Sequence, residues 1–146
     1  MDLDAIPSAI GAPGGWEKRP DAWWLEAPRA DPPALARVLL EAGARLVTMT
    51  ASAGPDGEFR VIYHWDGEGR LLNVAVTTRG AALPSVAAVT PAADWIEREI
   101  HDYFAVRFAG RDLPPLFLAP GDAPGALGRD LRPDVAAEGK DGKVEG

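Results

Sequence analysis

The chain has 146 residues, an ordinary apolar fraction of 47% and room for one domain with one modest core. Its 15 basic and 22 acidic side chains give a net charge of −7 without any lysine or arginine cluster, so we expect no nucleic acid among its partners, because phosphate backbones repel an acidic surface. The absence of cysteine excludes disulfides, thiolate catalysis and Cys-ligated iron–sulfur clusters.

Neither the apolar runs nor the first residues indicate a membrane segment or a signal peptide. The longest apolar runs, such as residues 86–89, are far too short to cross a bilayer. The N-terminus is acidic and lacks the basic start and apolar stretch of a secretory signal. We therefore expect a cytoplasmic location.

Residues 1–20 are predicted to form a flexible arm. Five glycine and proline residues fall between positions 11 and 20, a density that stops regular structure from propagating. The apolar residues 22–25 that follow predict a short edge strand.

An amphipathic helix is predicted over residues 33–42. Asp31 stands before two prolines; aspartate can accept backbone N–H bonds at a helix start, and proline suits the first turn. Gly43 ends the predicted helix. Apolar residues recur at helical spacing between these limits, at Ala34, Leu35, Val38, Leu39 and Ala42.

Three strands are predicted next, over residues 45–52, 59–65 and 71–78. In the first strand, alternation places Val47 and Met49 on the same face. The turns between the strands are rich in glycine, proline and aspartate. Because such short turns can only join antiparallel neighbours, the three strands are predicted to form a meander.

A second helix is predicted after residues 79–89, a segment whose sequence is compatible with a loop, a short helix or a strand. Thr90 is the expected helix cap, and Pro91 suits the first helical position. The helical pattern continues to about Phe104.

The expected architecture is one α+β domain over residues 21–118, with a three- to four-stranded, mostly antiparallel sheet and two main helices. Periodicity is lost from Pro114 onward. Residues 119–146 are rich in glycine and proline and are predicted to form an extended or disordered tail.

Charged and aromatic residues are concentrated in the predicted second helix. The helical period places Trp95, Glu99 and Asp102 together beside an apolar stripe. Arg98 lies four residues from Asp94 and four from Asp102, so ion pairs with both are predicted. Such a face is either a solvated surface, whose ion pairs each contribute about 0.3 kcal/mol, or an interface, where aromatic residues and arginine are enriched.

Two sharper readings of this helix are weaker. Glu97 and His101 are four residues apart and could share a metal, but a metal site needs more ligands. Glu99 and Asp102 could form a general acid–base pair, but Arg98 and an exposed helix would keep both carboxylates ionised. We therefore expect no catalytic residue, no metal and no cofactor site in this chain.

The run of residues 97–108 resembles the signature of the complex I 30 kDa subunit family. That signature is E-R-E, two residues, D, then L or M, F, G, I or V, and a final F; here it reads E-R-E-I-H-D-Y-F-A-V-R-F. Residues 84–86 fit the family's P-S-I stretch. The lead-in P-A-A-D-W at residues 91–95 is similar to that of subunits of group 4 nickel–iron hydrogenases and formate hydrogenlyase.

The chain departs from the family pattern at two places. Ala105 stands where the family has glycine, and alanine would be strained there if the backbone requires a positive φ. The family continues with G-H-P-D-L-R-R, whereas residues 110–116 read G-R-D-L-P-P-L. A contact made through the two missing arginines would be altered or lost.

The resemblance implies a non-catalytic peripheral-arm subunit of an NADH-quinone oxidoreductase (complex I) type complex, at the inner face of the cell membrane. The implied partners are the 49 kDa, or D, subunit or a hydrogenase large subunit, together with neighbouring iron–sulfur subunits. The equivalent subunit of a group 4 hydrogenase or formate hydrogenlyase complex is one alternative, and a free-standing binding module or hydrolase is another. The residues expected at the subunit interface are Trp95, Glu97, Arg98, Glu99, Asp102, Phe104 and Phe108.

Overall fold

The structure is a computed structural model that describes the backbone of residues 1–131 and the side chains of residues 1–128. Within residues 1–131, no helix is both long and apolar enough to cross a lipid bilayer. Two short 3-10 helices lie at Pro55–Gly57 and Ala126–Leu131. The other elements, in chain order, are α1 (Ile6–Ala9), β1 (Glu17–Lys18), β2 (Trp23–Glu26), α2 (Pro32–Glu41), β3 (Arg45–Ala53), β4 (Phe59–Gly67), β5 (Arg70–Thr77), β6 (Ala82–Pro84), α3 (Ala93–Phe104) and β7 (Arg107–Ala109).

The central sheet has five strands in the order β1-β2-β5-β4-β3. Strands β3, β4 and β5 pair antiparallel as the predicted meander. Strand β2 adds to β5 in parallel, and β1 pairs antiparallel with β2 outside it. The α+β class with a mostly antiparallel sheet is confirmed, and β1 and β2 account for the strands beyond the meander.

Helix α2 forms as predicted, with both ends capped. The Asp31 carboxylate accepts the N–H of Ala34 at 3.2 Å. At the other end, Gly43 has a φ of 93°. Its N–H donates to the Leu40 carbonyl, and the N–H of Ala44 donates to the Leu39 carbonyl. These two bonds satisfy carbonyls that the last turn of a helix otherwise leaves unpaired.

A β-bulge changes the predicted alternation of β3. The register shifts between Leu46 and Thr48, so one extra residue, Val47, stands outside the ladder. Leu46 and Met49 are both buried, whereas Val47 is 45% exposed. The prediction that Val47 and Met49 share a face is therefore wrong, because simple alternation cannot anticipate an inserted residue.

One face of the central sheet carries the hydrophobic core. In β4 the odd-numbered residues from Phe59 to Trp65 are buried, while the even-numbered residues between them stay partly exposed. Ile6 of α1, Leu35 of α2 and Ile100 of α3 belong to the same buried cluster. The three α-helices therefore contribute to one core, which fixes the position of α3.

The opposite face of the sheet is polar and holds His64. The Nδ1 atom of His64 lies 2.7 Å from the Asn73 side-chain oxygen and therefore donates to it. The other ring nitrogen lies 2.9 Å from the Thr50 hydroxyl, which can donate in return. His64 is thus a half-buried strand residue that links three neighbouring strands.

Residues 1–20 contain regular structure where the sequence predicts none. Helix α1 and strand β1 both lie in this segment. Ile6 and Ile10 are 2% and 7% exposed and belong to the core. The glycines of the segment lie between α1 and β1 rather than inside them, so they do not prevent either element from forming.

Helix α3 begins later than the sequence predicts. Its cap residue is Ala92, which makes no side-chain cap bond, and its first helical residue is Ala93. Thr90 instead closes a preceding turn in which its N–H donates to the Val86 carbonyl. The assignment of Thr90 as the cap is therefore wrong, whereas the end of the helix at Phe104 is confirmed.

The segment on either side of α3 forms a second, two-stranded sheet. Strand β6, within the ambiguous residues 79–89, pairs in parallel with β7. Beyond it, part of the predicted tail is described and includes the 3-10 helix Ala126–Leu131. Residues 132–146 lie outside the described part of the chain, and the limits proposed for the arm, domain and tail stay a prediction.

We expect Asp31→Ala to lower the free energy of unfolding by about 1 kcal/mol, because it removes the acceptor that satisfies the first turn of α2. Urea denaturation measures this change. Asp31→Ser retains a capping oxygen and is the matched control, expected to stay within about 0.5 kcal/mol of the native chain. Equal losses in both variants would contradict the capping role.

Candidate subunit-interface site

Helix α3 turns three different sides to its surroundings. Ile100 is 5% exposed and faces the core. Trp95 is 67% exposed, and Glu99, one turn further along, is also exposed. The remaining side of the helix carries Asp94, Arg98 and Asp102 and contacts the chain that follows β7.

The carboxylate of Glu97 is fully buried and accepts hydrogen bonds from the segment before α3. The Ser85 hydroxyl donates to one of its oxygens at 2.6 Å, and the Val86 N–H donates to the other at 2.9 Å. Both donors follow β6 directly. Glu97 therefore fixes α3 to the end of that strand.

Arg111 adds the positive charge that this buried carboxylate needs. Its guanidinium lies 3.3 Å from a Glu97 oxygen and also pairs with the Asp94 carboxylate. Its side chain is only 17% exposed. One arginine beyond β7 thus joins two acids one turn apart on α3, and a partly buried pair of this kind is screened less than a surface pair.

The environment of Glu97 raises the pKa of its carboxyl above the ordinary glutamate value. Desolvation by burial is the main cause, because it disfavours the charged form. The hydrogen bonds from Ser85 and Val86 and the charge of Arg111 act in the opposite direction.

Asp102 is the second fully buried carboxylate of α3. One of its oxygens accepts the N–H groups of Leu116 and Phe117, at 2.9 and 2.7 Å. Its backbone carbonyl accepts the N–H of Gly125 at 2.9 Å. The other carboxylate oxygen has no hydrogen-bond partner among the described residues. Asp102 therefore holds two stretches of the chain that follows β7.

Arg98 binds backbone carbonyls rather than acids. Its guanidinium donates to the carbonyls of Pro114 and Pro115, both at 3.0 Å. The predicted ion pairs of Arg98 with Asp94 and Asp102 are wrong, because Arg111 takes the first acid and backbone N–H groups take the second. Helical spacing shows which side chains can meet, but not which distant segment competes for them.

Together these contacts bind residues 111–117, which we name the strap, along one side of α3. Arg111, Pro114, Pro115, Leu116 and Phe117 all meet the helix. The sequence predicts irregular structure after Pro114, and the strap is indeed without helix or strand. It is nevertheless fixed, because donors and acceptors of α3 satisfy its backbone.

The strap turns one large apolar side chain outward. Phe117 is 58% exposed, although its N–H is bound to Asp102. Among residues 1–128, Trp95 on the exposed side of α3 is the other large aromatic residue with more than half of its surface exposed. Sequence reasoning missed Phe117 and Arg111. The only signal for Arg111 was its place in the stretch that departs from the family pattern.

The seven residues predicted at the interface fall into three groups. Trp95 and Glu99 are exposed, and Arg98 and Phe104 are partly buried. The other three are inside the fold: Glu97, Asp102 and Phe108. In this structure these three act by fixing α3, β6, β7 and the strap, and a role of the set at an interface stays a prediction.

The residues considered for metal or acid–base chemistry have structural partners. His101 donates from Nδ1 to the Val106 carbonyl at 2.8 Å, while Glu97 binds Ser85 and Val86. Among the described residues, no group of three or more metal-ligating side chains is close enough to hold an ion.

Ala105 adopts the strained conformation that its glycine-like position implies. Its φ is 59° and its ψ is 21°, in the left-handed region, and its N–H closes the helix on the His101 carbonyl. An L-residue with a Cβ is disfavoured there by about 1–2 kcal/mol. The family's glycine at this position is therefore the conformationally easier residue.

We expect Ala105→Gly to raise the free energy of unfolding by about 0.5–1 kcal/mol, the relief of strain minus the larger entropy of glycine in the unfolded chain. Thermal or urea unfolding measures it. Ala34→Gly makes the same change at a right-handed helical residue of α2 and should lower stability by about 1 kcal/mol. Destabilisation by both variants would contradict the strain at Ala105.

The difference in free energy of unfolding between the native chain and the variant Glu97→Gln should depend on pH. We expect the native chain to lose stability relative to the variant as the pH rises from the ordinary glutamate pKa through the raised pKa of Glu97. Over this window the folded state keeps a proton that the unfolded state has released. Unfolding measured at a series of pH values tests this. Glu99→Gln, at an exposed site, is the control and should show no such trend. A relative stability that rises with pH would contradict the raised pKa.

Comparisons with known proteins identify the family of this chain. The family described as "Respiratory-chain NADH dehydrogenase, 30 Kd subunit" matches residues 25–141. That span includes all of the meander, α3 and the strap.

Curated relatives match over shorter stretches. The C/D subunit of the NADH-quinone oxidoreductase of Methylococcus capsulatus is 42% identical over 60 residues, which are 38% of this chain and 10% of that protein. The protein of the same name from Chromohalobacter salexigens is 37% identical over 87 residues, 57% of this chain and 14% of that protein. The chain thus spans only a small part of these relatives.

A solved structure matches almost the whole chain. It belongs to the membrane-bound sulfane sulfur reductase, described as an archaeal respiratory membrane complex, and superposes with a TM-score of 0.70 at 25% identity. The match covers 95% of this chain and 88% of that chain. The family match, the relatives and the shared fold lead to one conclusion: this chain belongs to the family of the 30 kDa subunit of respiratory-chain NADH dehydrogenase.

Proposed function

We propose that this chain is a non-catalytic subunit of an NADH-quinone oxidoreductase type complex, in which it supports a large catalytic subunit. The observation that carries the proposal is the surface made by α3 and the strap that is hydrogen-bonded to it, from which Trp95 and Phe117 project. Exposed tryptophan and phenylalanine held on a fixed backbone are typical of interface anchors. A chain without cysteine needs a neighbour to hold iron–sulfur clusters.

The partner we propose is a D-type, or 49 kDa, subunit. The designation C/D in the name of the relatives joins the two subunit types in one protein. The matched stretches are 10–14% of those proteins, and the D half of their name supports a D-type subunit as the partner of this chain. Neighbouring iron–sulfur subunits are further partners in this proposal.

The proposed location is the inner face of the cell membrane, as part of the complex. A bilayer-spanning helix is not found among residues 1–131, so contact with the membrane would come through the other subunits. The described structural relative belongs to a respiratory membrane complex, which supports this peripheral position.

A second candidate is the equivalent subunit of a group 4 nickel–iron hydrogenase or a related complex. Two observations favour it: the P-A-A-D-W lead-in at residues 91–95, and the nearly complete superposition on a chain of a complex that is named for sulfane sulfur rather than for NADH. Identification of the large subunit that purifies with the tagged chain separates the two candidates. A chain that purifies alone would favour a free-standing binding module or hydrolase.

We expect Trp95→Ala to weaken binding of the large subunit at least about tenfold, because truncation of a tryptophan anchor commonly costs about 2 kcal/mol or more. The chain is tagged in its own cells, and the large subunit retained on it is quantified by mass spectrometry. The melting temperature of the isolated chain should change little, since Trp95 is 67% exposed.

Leu71→Ala is the matched control for that experiment. Leu71 is an apolar residue of β5 that is 39% exposed and lies beside residues 18–23 rather than beside α3. Its loss should leave assembly unchanged. If Trp95→Ala and Leu71→Ala retain equal amounts of the large subunit, the α3 surface is not the interface.

A further inference from the structure

Strand β3 is the last strand at one edge of the central sheet, and its outer side has no strand partner among residues 1–131. It is nine residues long. Natural proteins usually shorten, charge or cover such an edge, because its free N–H and C=O groups can pair with another chain. The open part of this edge, Thr48–Ala51, carries no charged side chain.

The hydrogen bond from the Gly54 N–H to the Glu58 carbonyl, at 2.8 Å, shows which residues of β3 face β4. Opposed residues of an antiparallel ladder alternate between bonded and non-bonded pairs. Counting back along the register, Thr50 bonds to β4, whereas Met49 and Ala51 turn their N–H and C=O groups away from it. Neither outward N–H has a backbone acceptor in the described part of the chain.

An open groove runs along this edge, between β3 and α3. Its strand side is formed by the four consecutive residues 48–51. Side chains of consecutive strand residues point to opposite faces, so a groove that all four border must follow the backbone edge. Its helix side is formed by Glu99, Ile100, Tyr103 and Phe104.

The groove suits an extended peptide better than a small molecule. Its volume is about 320 Å³, at the lower limit for ligand pockets, and it is open along its length rather than enclosed. The strand side offers backbone groups, and the helix side offers the largely apolar side chains of Ile100, Tyr103 and Phe104 beside Glu99. Strand addition uses such a combination, because backbone bonds give affinity and side-chain contacts give selectivity.

The charge of Glu99 indicates that the peptide in the groove carries a basic residue. Glu99 lies on the rim of the groove and is exposed, and no described cation forms an ion pair with it. An occupant with a lysine or arginine at this point would neutralise the carboxylate. A second copy of this chain would bring its own net charge of −7 and a second Glu99 to the contact, so like charges oppose self-pairing.

We propose that the edge of β3 accepts an extended segment of the large subunit, which adds a strand beside Met49–Ala51 and places a basic side chain against Glu99. This inference rests on the proposed subunit function. It adds a second contact to the α3 surface, one that is made chiefly through the backbone.

Hydrogen–deuterium exchange on the full chain tests the proposal, comparing the isolated chain with the native complex purified through a tag on this chain. The amides of Met49 and Ala51 should exchange at least about tenfold more slowly in the complex. The amide of Asp56, in the turn after β3, is the internal control and should not change.

Each other outcome overturns a distinct claim. If the large subunit is retained but both amides exchange as in the isolated chain, strand addition fails while the subunit function stands. If the tagged chain carries no large subunit, both proposals fail. If both amides already exchange slowly in the isolated chain, something else covers the edge. Measuring the oligomeric state tests for a second copy, and truncation after Leu131 tests for residues 132–146. Either result overturns the proposal.

A charge reversal tests the basic contact separately. Glu99→Lys should reduce retention of the large subunit at least about tenfold, and Glu99→Gln should reduce it less and make it less sensitive to salt. Glu41→Lys is the matched control, at an exposed acid of α2. If Glu99→Lys and Glu41→Lys retain equal amounts of the large subunit, the proposed contact between Glu99 and a basic side chain is contradicted.

Discussion

Two buried carboxylates on α3 determine the local structure on which the proposed interface depends. Removing a carboxylate from water is unfavourable unless charged or hydrogen-bonding groups surround it. Glu97 is bound by Ser85 and Val86, which precede the helix, and by Arg111 of the strap, which follows it. Asp102 accepts two N–H groups of the strap with one of its oxygens. The burial of two acids thus requires three separate segments to assemble at one place.

This requirement explains how an irregular segment can present an ordered surface. The strap has few internal hydrogen bonds of its own, and α3 supplies the missing donors and acceptors through Arg98 and Asp102. In this chain the charged motif therefore acts largely inside the fold, while the aromatic residues Trp95 and Phe117 remain exposed.

The sequence predicts the elements that depend on local patterns. Helix α2 follows from Asp31, the prolines and Gly43, and the meander follows from alternation between strong turns. Features that depend on distant contacts are missed. The bulge at Val47 is a feature of the pairing with β4, and α1 buries Ile6 and Ile10 in the core. The later start of α3 follows a turn that Thr90 closes on Val86. The family motif supplied what periodicity could not, namely the importance of residues 97–108.

In the candidate site, too, local features could be predicted from the sequence and features that depend on distant segments could not. The sequence located the helix of the candidate site, with its exposed Trp95. It did not reveal that other segments cover Glu97 and Asp102, because helical spacing shows only which residues share a face. Ala105 is different, because the absence of the family's glycine predicted strain at one backbone position, and the positive φ is found there. A substitution within a known motif can thus be more informative than the composition around it.

Whether α3 and the strap form the interface can be seen directly in a structure of the native complex, determined by electron cryo-microscopy after purification through this chain. We predict that Trp95 and Phe117 lie buried against a large catalytic subunit, with the strap still bound to α3. A complex in which the partner covers the opposite, polar face of the sheet and leaves both aromatic residues in solvent would contradict this assignment.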